Sequence, residues 1–244
     1  RGGDILFEYD KRFLDSGIEL SPFLLPLRPG VASDPKRTFD GLFGVFNDSL
    51  PDGWGLLLLD RLLRRSGLPL ERITPLSRLS LVGRGGMGAL EYEPVTPDPD
   101  PLPERIDLDG VAEEAWRTLN EDPLPVETLR TLMALNGSSC GARPKIMVRV
   151  SGDRRLIVPD AVAEPGCDPW LIKFPARHDD PAIGRMEYAC SLAAKRAGIE
   201  MPETALFPGR DGAAYFGVRR FDREDGGKVH VHTACGLLHA SHRY

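Results

Sequence analysis

Lys145-Ile-Met-Val-Arg-Val150, Gly152-Asp153, Arg155-Leu-Ile-Val158 and Trp170-Leu-Ile-Lys-Phe174 read in turn as strand, hairpin turn, strand and strand. The next stretch, Met186 to Ala197, is rich in Ala, Leu and Lys and stops at Gly198, which predicts a helix. Two more strands follow, Glu203 to Pro208 and Ala213 to Arg220, separated by the turn Gly209-Arg210-Asp211-Gly212. The order is strand, strand, strand, helix, strand, strand. This part of the chain, 137–244, is therefore expected to be an antiparallel sheet with one helix against it.

Upstream, the pattern changes. Val126, Leu129, Leu132, Met133 and Leu135 make one apolar helical stripe, and helical patterning extends over 106–135. The run Pro94-Val-Thr-Pro-Asp-Pro-Asp-Pro-Leu-Pro103 is forced into extended conformation by its prolines, and its acidic residues, Asp98 to Glu104, read as solvated linker. Residues 94–136 are thus read as a Pro-rich linker with connecting helices. Residues 1–93 mix a short strand, Ile5 to Tyr9, a Pro-rich stretch, Leu20 to Leu27, and a helix from Trp54 to Ser66, which suits a small α+β subdomain. The fold class expected is α+β, with two subdomains packed together.

Composition sets the outer bounds. The 244 residues are 41% hydrophobic and 27% charged, enough for a core without staples. A net charge of −5, from 31 Lys+Arg against 36 Asp+Glu, offers no global attraction for phosphate backbones, so no direct nucleic-acid partner is expected. No apolar run reaches the ~18 residues of a membrane span, and the N-terminus lacks a secretory pattern. The four cysteines, Cys140, Cys167, Cys190 and Cys235, lie far apart without a CxxC pair, which suits reduced thiols and a cytoplasmic location. There is no initiator Met, and both ends read as cut, so the sequence is expected to be part of a longer protein.

The strand and helix order is also the layout of a protein-kinase-like N-terminal lobe, and phosphoryl transfer asks for each part. Gly137-Ser138-Ser139-Cys140-Gly141-Ala142 is a low-bulk loop able to approach phosphates, although a plain turn reads the same way. Lys173 sits on a sheet face, where it either meets an anion or protects an edge strand. Glu187, in the first turn of the next helix, either answers the helix dipole or pairs with Lys173, and the spacing of the two favours the pair. His230, His232, His239 and His242 crowd the end of the chain. A metal reading lacks suitably spaced further ligands, and solvated polar positions at a strand end explain them better. No metal ligands are assigned, and no G-x-S-x-G elbow or Cys–His pair marks nucleophilic catalysis.

These residues resemble the HipA-type serine/threonine kinases, the toxins of bacterial type II toxin–antitoxin pairs, over nearly the whole chain. In 1–93 the resemblance lies in Leu20-Ser-Pro with Leu25-Pro-Leu27, in Phe46-Asn-Asp-Ser-Leu-Pro-Asp-Gly53, and in Gly83 with Gly88-Ala89-Leu90. In 137–244, Ser138-Ser-Cys-Gly-Ala-Arg-Pro-Lys145 is similar to the family's nucleotide loop, Trp170-Leu-Ile-Lys-Phe-Pro175 to its ATP-lysine strand, Glu187 to its helix glutamate, and Val218-Arg-Arg-Phe-Asp-Arg223 to its hinge.

The resemblance implies an ATP- and Mg-dependent protein kinase. Ser139, Cys140, Gly141, Ala142, Arg143, Pro144 and Lys145 would wrap the phosphates, Lys173 would bind them, and Glu187 would pair with Lys173. Arg219, Arg220 and Phe221 would line the adenine pocket through backbone groups, and Ser138 falls at the inhibitory autophosphorylation position. Arg143 stands where the family commonly has glutamine, and Arg219 where it has glutamate. The family's catalytic aspartate and its D-G-H-x-x-N metal motif do not occur in this sequence; they are expected beyond Tyr244, which leaves 1–244 inactive alone. A DNA-binding antitoxin and a translation-machinery target, such as an aminoacyl-tRNA synthetase, are the implied partners. The alternative is a non-catalytic module that binds a partner or antitoxin.

Overall fold

A computed structural model describes residues 4–67, 69, 73–95 and 101–240. Its centre is a five-stranded antiparallel sheet of β3 (Lys145–Ser151), β4 (Ile157–Pro159), β5 (Cys167–Lys173), β6 (Thr204–Pro208) and β7 (Ala214–Arg219), ordered β4-β3-β5-β7-β6. The chain is thus α+β, with all five expected strands in one sheet. The strand expected at Ala213–Arg220 is one residue shorter at each end, and the helix expected from Met186 begins earlier, as α7 (Ile183–Arg196).

Register decides what each face carries, because directly opposed residues point the same way. Lys145 opposes Lys173, Lys173 opposes Phe216, and Leu171 opposes Val218, so these side chains share one face. Ile146, Val148, Trp170, Ile172 and Phe207 belong to the other face and are all within 3% of complete burial. That second face is covered by α3 (Gly53–Arg65), α5 (Leu108–Leu119) and α6 (Val126–Asn136), which join it in one apolar core. The helices expected only to connect two subdomains therefore form part of the core itself. Truncating Phe207, edge-on to Trp170 at 5.5 Å, would cost about 3–5 kcal/mol.

The first face carries α7. Gly184 lies so close to β7 that an added Cβ would sit 2.0 Å from the Ala214 carbonyl oxygen, so the helix approaches the sheet only through glycine. Ser191 and Thr204 hydrogen-bond across the same interface at 2.9 Å. Beyond α7 this face is open, with Leu171, Lys173 and Val218 half-buried.

The N-terminal part has its own small core of Tyr9, Leu25, Phe43 and Val45. The expected strand Ile5–Tyr9 shortens to β1 (Phe7–Glu8), paired with β2 (Val31–Ala32), because Asp10 caps the short helix α1 (Lys11–Leu14) and turns the chain away. Tyr9 donates its hydroxyl to the Leu25 carbonyl at 2.8 Å and so pins the Pro-rich stretch. Helices α2 (Gly44–Asn47) and α4 (Pro75–Val82) complete this part. Of the Pro94–Pro103 strap, residues 96–100 lie outside the described residues, as does His242.

After the sheet, the hairpin β8 (Arg223–Glu224) and β9 (Gly227–Lys228) leads to α8 (Ala234–Leu238), capped by Thr233. The sequence had given no sign of a helix here. Of the terminal histidines, His230 is exposed, whereas His232 and His239 are half-buried. They dock the segment onto the N-terminal part: His230 meets the Leu20 carbonyl, His232 bridges Asp48 and Ser21, and His239 Nε2 accepts from the Gly44 amide at 2.7 Å.

Candidate functional site: a lysine–glutamate cleft under a tethered loop

Lys173 ends β5 on the open face, and Glu187 rises from the second turn of α7. The ammonium lies 3.3 Å from Glu187 Oε2 and donates a long hydrogen bond of 3.5 Å to Oε1. The expected ion pair is present. Oε2 is nonetheless buried without a hydrogen bond. Phe216 stands beneath the ammonium, its ring centroid 5.6 Å away, and gives the charge an aromatic face.

The loop 138–144 comes from the end of α6 and is held from below by the N-terminal part. Asp52, at the N-cap of α3, does not cap its own helix but accepts from the Gly141 amide at 2.7 Å. Trp54 returns a backbone bond to the Gly141 carbonyl at 3.0 Å, and Lys145 Nζ donates to the same oxygen at 2.8 Å. Gly53 has φ of +44° and would place a Cβ 2.6 Å from the Gly141 oxygen, so this contact requires glycine on both backbone and steric grounds.

This tethering gives several of the loop's side chains partners within the protein. Ser139 is buried and turns its hydroxyl back to Asn136, so it offers no side chain to a phosphate. Lys145 is 4% exposed and props the loop from beneath; burial, with Lys173 as like-charged neighbour, lowers its pKa to about 8. Pro144 has no amide hydrogen, and its carbonyl accepts from Phe174, which fixes the loop to the end of β5. The amides of Ser138, Cys140, Ala142 and Arg143 have no acceptor among the described residues; Ser138 is fully buried, which leaves those of Cys140, Ala142 and Arg143 on the exposed side of the loop. Arg143 extends sideways: its guanidinium grips Asp179 at 2.8 and 3.0 Å and reaches within 3.7 Å of Glu187 Oε1.

Ser138, the expected phosphorylation position, is fully buried, and its Oγ accepts from the Met87 amide at 2.9 Å. A phosphoryl donor has no access to it in this arrangement, so modification requires the loop and residues 86–88 to part.

The hinge residues divide. Arg219 is half-exposed and pairs with Asp168, a surface contact worth little. Its amide and that of Arg220 already donate to the Glu203 and Pro169 carbonyls, whereas the Phe221 amide has no acceptor among the described residues. The side chain of Arg220 does not belong to the cleft. It is 1% exposed and binds Asp222 and Asp160, and Asp222 also accepts from Arg223 and from the Gly88 amide. Burial would raise the Asp222 carboxyl, but the Arg220 hydrogen bonds and charge more than offset it and hold its pKa below the usual range. Arg220 and Arg223 also donate to the Gly86 carbonyl, so this cluster fastens the 86–88 turn that covers Ser138.

Asp179, Asp52 and Asp222 were not anticipated as partners of these residues. Asp222 and Asp52 stood inside quoted motifs, but nothing in the spacing says which distant amide a carboxylate will meet.

The arrangement amounts to a cation fixed by a carboxylate, three unpaired loop amides beside it, one unpaired hinge amide and an apolar floor. It suits an extended polyanion carrying a flat apolar group. Among the described residues no cluster of three or more His, Cys, Asp or Glu could hold a metal ion. Nor is any helix there long and apolar enough to cross a membrane. No curated protein matches the chain. Residues 1–93 match the family described as HipA N-terminal domain, and residues 137–244 match the HipA-like C-terminal domain. The two matches leave out only residues 94–136, and with the Lys173–Glu187 pair in place between sheet and helix, the chain belongs to the HipA kinase family.

Proposed function

We propose that this chain is the nucleotide-holding part of a serine/threonine protein kinase, and that ATP occupies the open sheet face between the 138–144 loop, Lys173 and the hinge. The observation that carries the reading is the Lys173–Glu187 contact at 3.3 Å, next to three loop amides that have no acceptor. When bound, ATP supplies the γ-phosphoryl group that is moved to a protein hydroxyl. Lys173 meets phosphate oxygens with its ammonium, and Glu187 keeps that ammonium from swinging away. The amides of Cys140, Ala142 and Arg143 donate to further phosphate oxygens, and the Phe221 amide donates to the base edge. Leu171 and Val218 give the base an apolar floor that excludes water.

Residues for Mg and for the base that accepts the hydroxyl proton are not assigned in this chain, and no step is derived through them. Following the family resemblance, the protein partner is a DNA-binding antitoxin and the target a translation-machinery protein, both acting in the cytoplasm. The test is mass spectrometric detection of phosphate transfer by the kinase and its Lys173→Ala variant. A folded variant with transfer reduced roughly 10²–10³-fold supports the reading; near-normal transfer removes Lys173 from the mechanism.

A further inference from the structure

Arg143 occupies a loop position where the resemblance leads one to expect a neutral amide side chain. Its guanidinium makes two parallel bonds to Asp179, at 2.8 and 3.0 Å, in the bidentate geometry that only arginine provides. Asp179 is itself fixed, because it also accepts from the Ala176 amide at 2.8 Å within the β5–α7 connection. The remaining guanidinium nitrogen lies 3.7 Å from Glu187 Oε1, while Lys173 lies 3.3 Å from Oε2. Glu187 is therefore held between two cations, one rooted in β5 and one in the loop.

We propose that Arg143 is a positioning residue that ties the 138–144 loop to α7 through Asp179 and Glu187, so that loop and helix shift together, rather than a direct phosphate ligand. The geometry limits the alternatives. A guanidinium already forked onto one carboxylate and facing a second would have to leave both to reach a phosphate. The loop's middle is anchored independently, by Asp52 and Trp54 on Gly141. With Arg143 engaged, Ala142 is bracketed by Gly141 and Arg143, and Cys140 lies between Gly141 and Ser139, whose hydroxyl is bonded to Asn136. An outward swing of α7 would pull on the loop as well as open the Lys173 pair. The Arg143 hydrogen bond also holds the Asp179 carboxyl below its ordinary pKa, which keeps it charged for the fork.

The nucleotide half of this inference rests on the proposed function; the tether does not. Hydrogen exchange of the Gly141 and Phe174 amides, which are bonded to Asp52 and to the loop's Pro144 carbonyl, reads the tether in the nucleotide-free chain, and calorimetric titration with ATP reads its consequence. The expected result is that Asp179→Asn and Arg143→Gln each raise loop exchange about tenfold and weaken ATP about tenfold. The double variant should be no worse than either single one, and the unfolding midpoint should hardly move. Unchanged loop exchange in Asp179→Asn would overturn the tether. Tighter ATP binding by Asp179→Asn would also overturn it, since a freed Arg143 would then be a phosphate ligand. If the wild-type chain binds no ATP, the proposed function fails, while the exchange data still decide whether the tether exists.

Discussion

Two charge clusters in this protein have the same composition, two cations and two carboxylates, and opposite environments. Arg220, Arg223, Asp222 and Asp160 lie between 0% and 16% exposed under the 86–88 turn. Lys173, Arg143, Glu187 and Asp179 lie between 15% and 43% exposed on the open sheet face. Asp222 receives donors on both oxygens, from Arg220, Arg223 and the Gly88 amide. Each cluster keeps one buried carboxylate oxygen without a hydrogen bond, Asp160 Oδ1 in the first and Glu187 Oε2 in the second, so exposure is what separates them. A cluster closed off from water is committed to holding two parts of the chain together. One that stays partly wet can still exchange partners with a ligand.

If that contrast is right, mutations should split cleanly between function and stability. The largest effect belongs to the open cluster: Lys173→Ala should reduce phosphate transfer roughly 10²–10³-fold. Its cost in stability should be less than about 1 kcal/mol, because a half-exposed pair contributes little. The buried cluster should show the reverse. Asp222→Ala leaves two arginines without their carboxylate and should destabilise the chain by about 3–5 kcal/mol in chemical denaturation. A loss below about 1 kcal/mol would show that the cluster is not a fastening. Removal of the fastening should also expose Ser138, so limited labelling of that hydroxyl should rise in the same variant.

The pH dependence sharpens the comparison. The folded Asp222 pKa lies below its unfolded value, so its contribution is complete above about pH 4 and is lost as pH falls through the folded value. His239 also has a lowered pKa, mainly from burial. The unfolded chain then takes up the proton first, and stability should fall as pH drops below about 6.5. His239→Gln should flatten that limb of a stability–pH profile. Lys145 acts in the opposite range. With a folded pKa of about 8 against an unfolded value near 10.4, stability should rise between pH 8 and 10. Lys145→Met should remove this rise and make the chain more stable at pH 7, by an amount on the order of 1–3 kcal/mol, while freeing the Gly141 carbonyl and loosening the loop. A variant that is less stable at pH 7 would show that the prop outweighs the buried charge.

The sequence was most legible where one period and one neighbour determine the outcome. Alternation between Lys145 and Val150 and between Trp170 and Phe174 predicted strands, and those strands formed. The Lys173–Glu187 pair could be foreseen because the strand end and the helix start are joined by a short connection. The side-chain partners of Ser139, Lys145 and Arg220, namely Asn136, Gly141 and Asp222, became apparent only once burial was known. The partners of His230, His232 and His239 were missed for the same reason: each meets a residue 184–211 positions away, in the N-terminal part. Helices α5 and α6 were visible as amphipathic, yet nothing in their pattern said that the face they cover is the back of the sheet.

The claim that the open cluster is a nucleotide site while the buried one is structural is tested most directly by calorimetric titration of ATP into the chain and its Lys173→Ala and Arg219→Ala variants, with unfolding midpoints recorded in parallel. The account predicts measurable binding by the wild type, at least tenfold weaker binding by Lys173→Ala with an unchanged midpoint, and wild-type affinity for Arg219→Ala, whose side chain faces Asp168 on the surface. Equal affinity in the wild type and Lys173→Ala would contradict it.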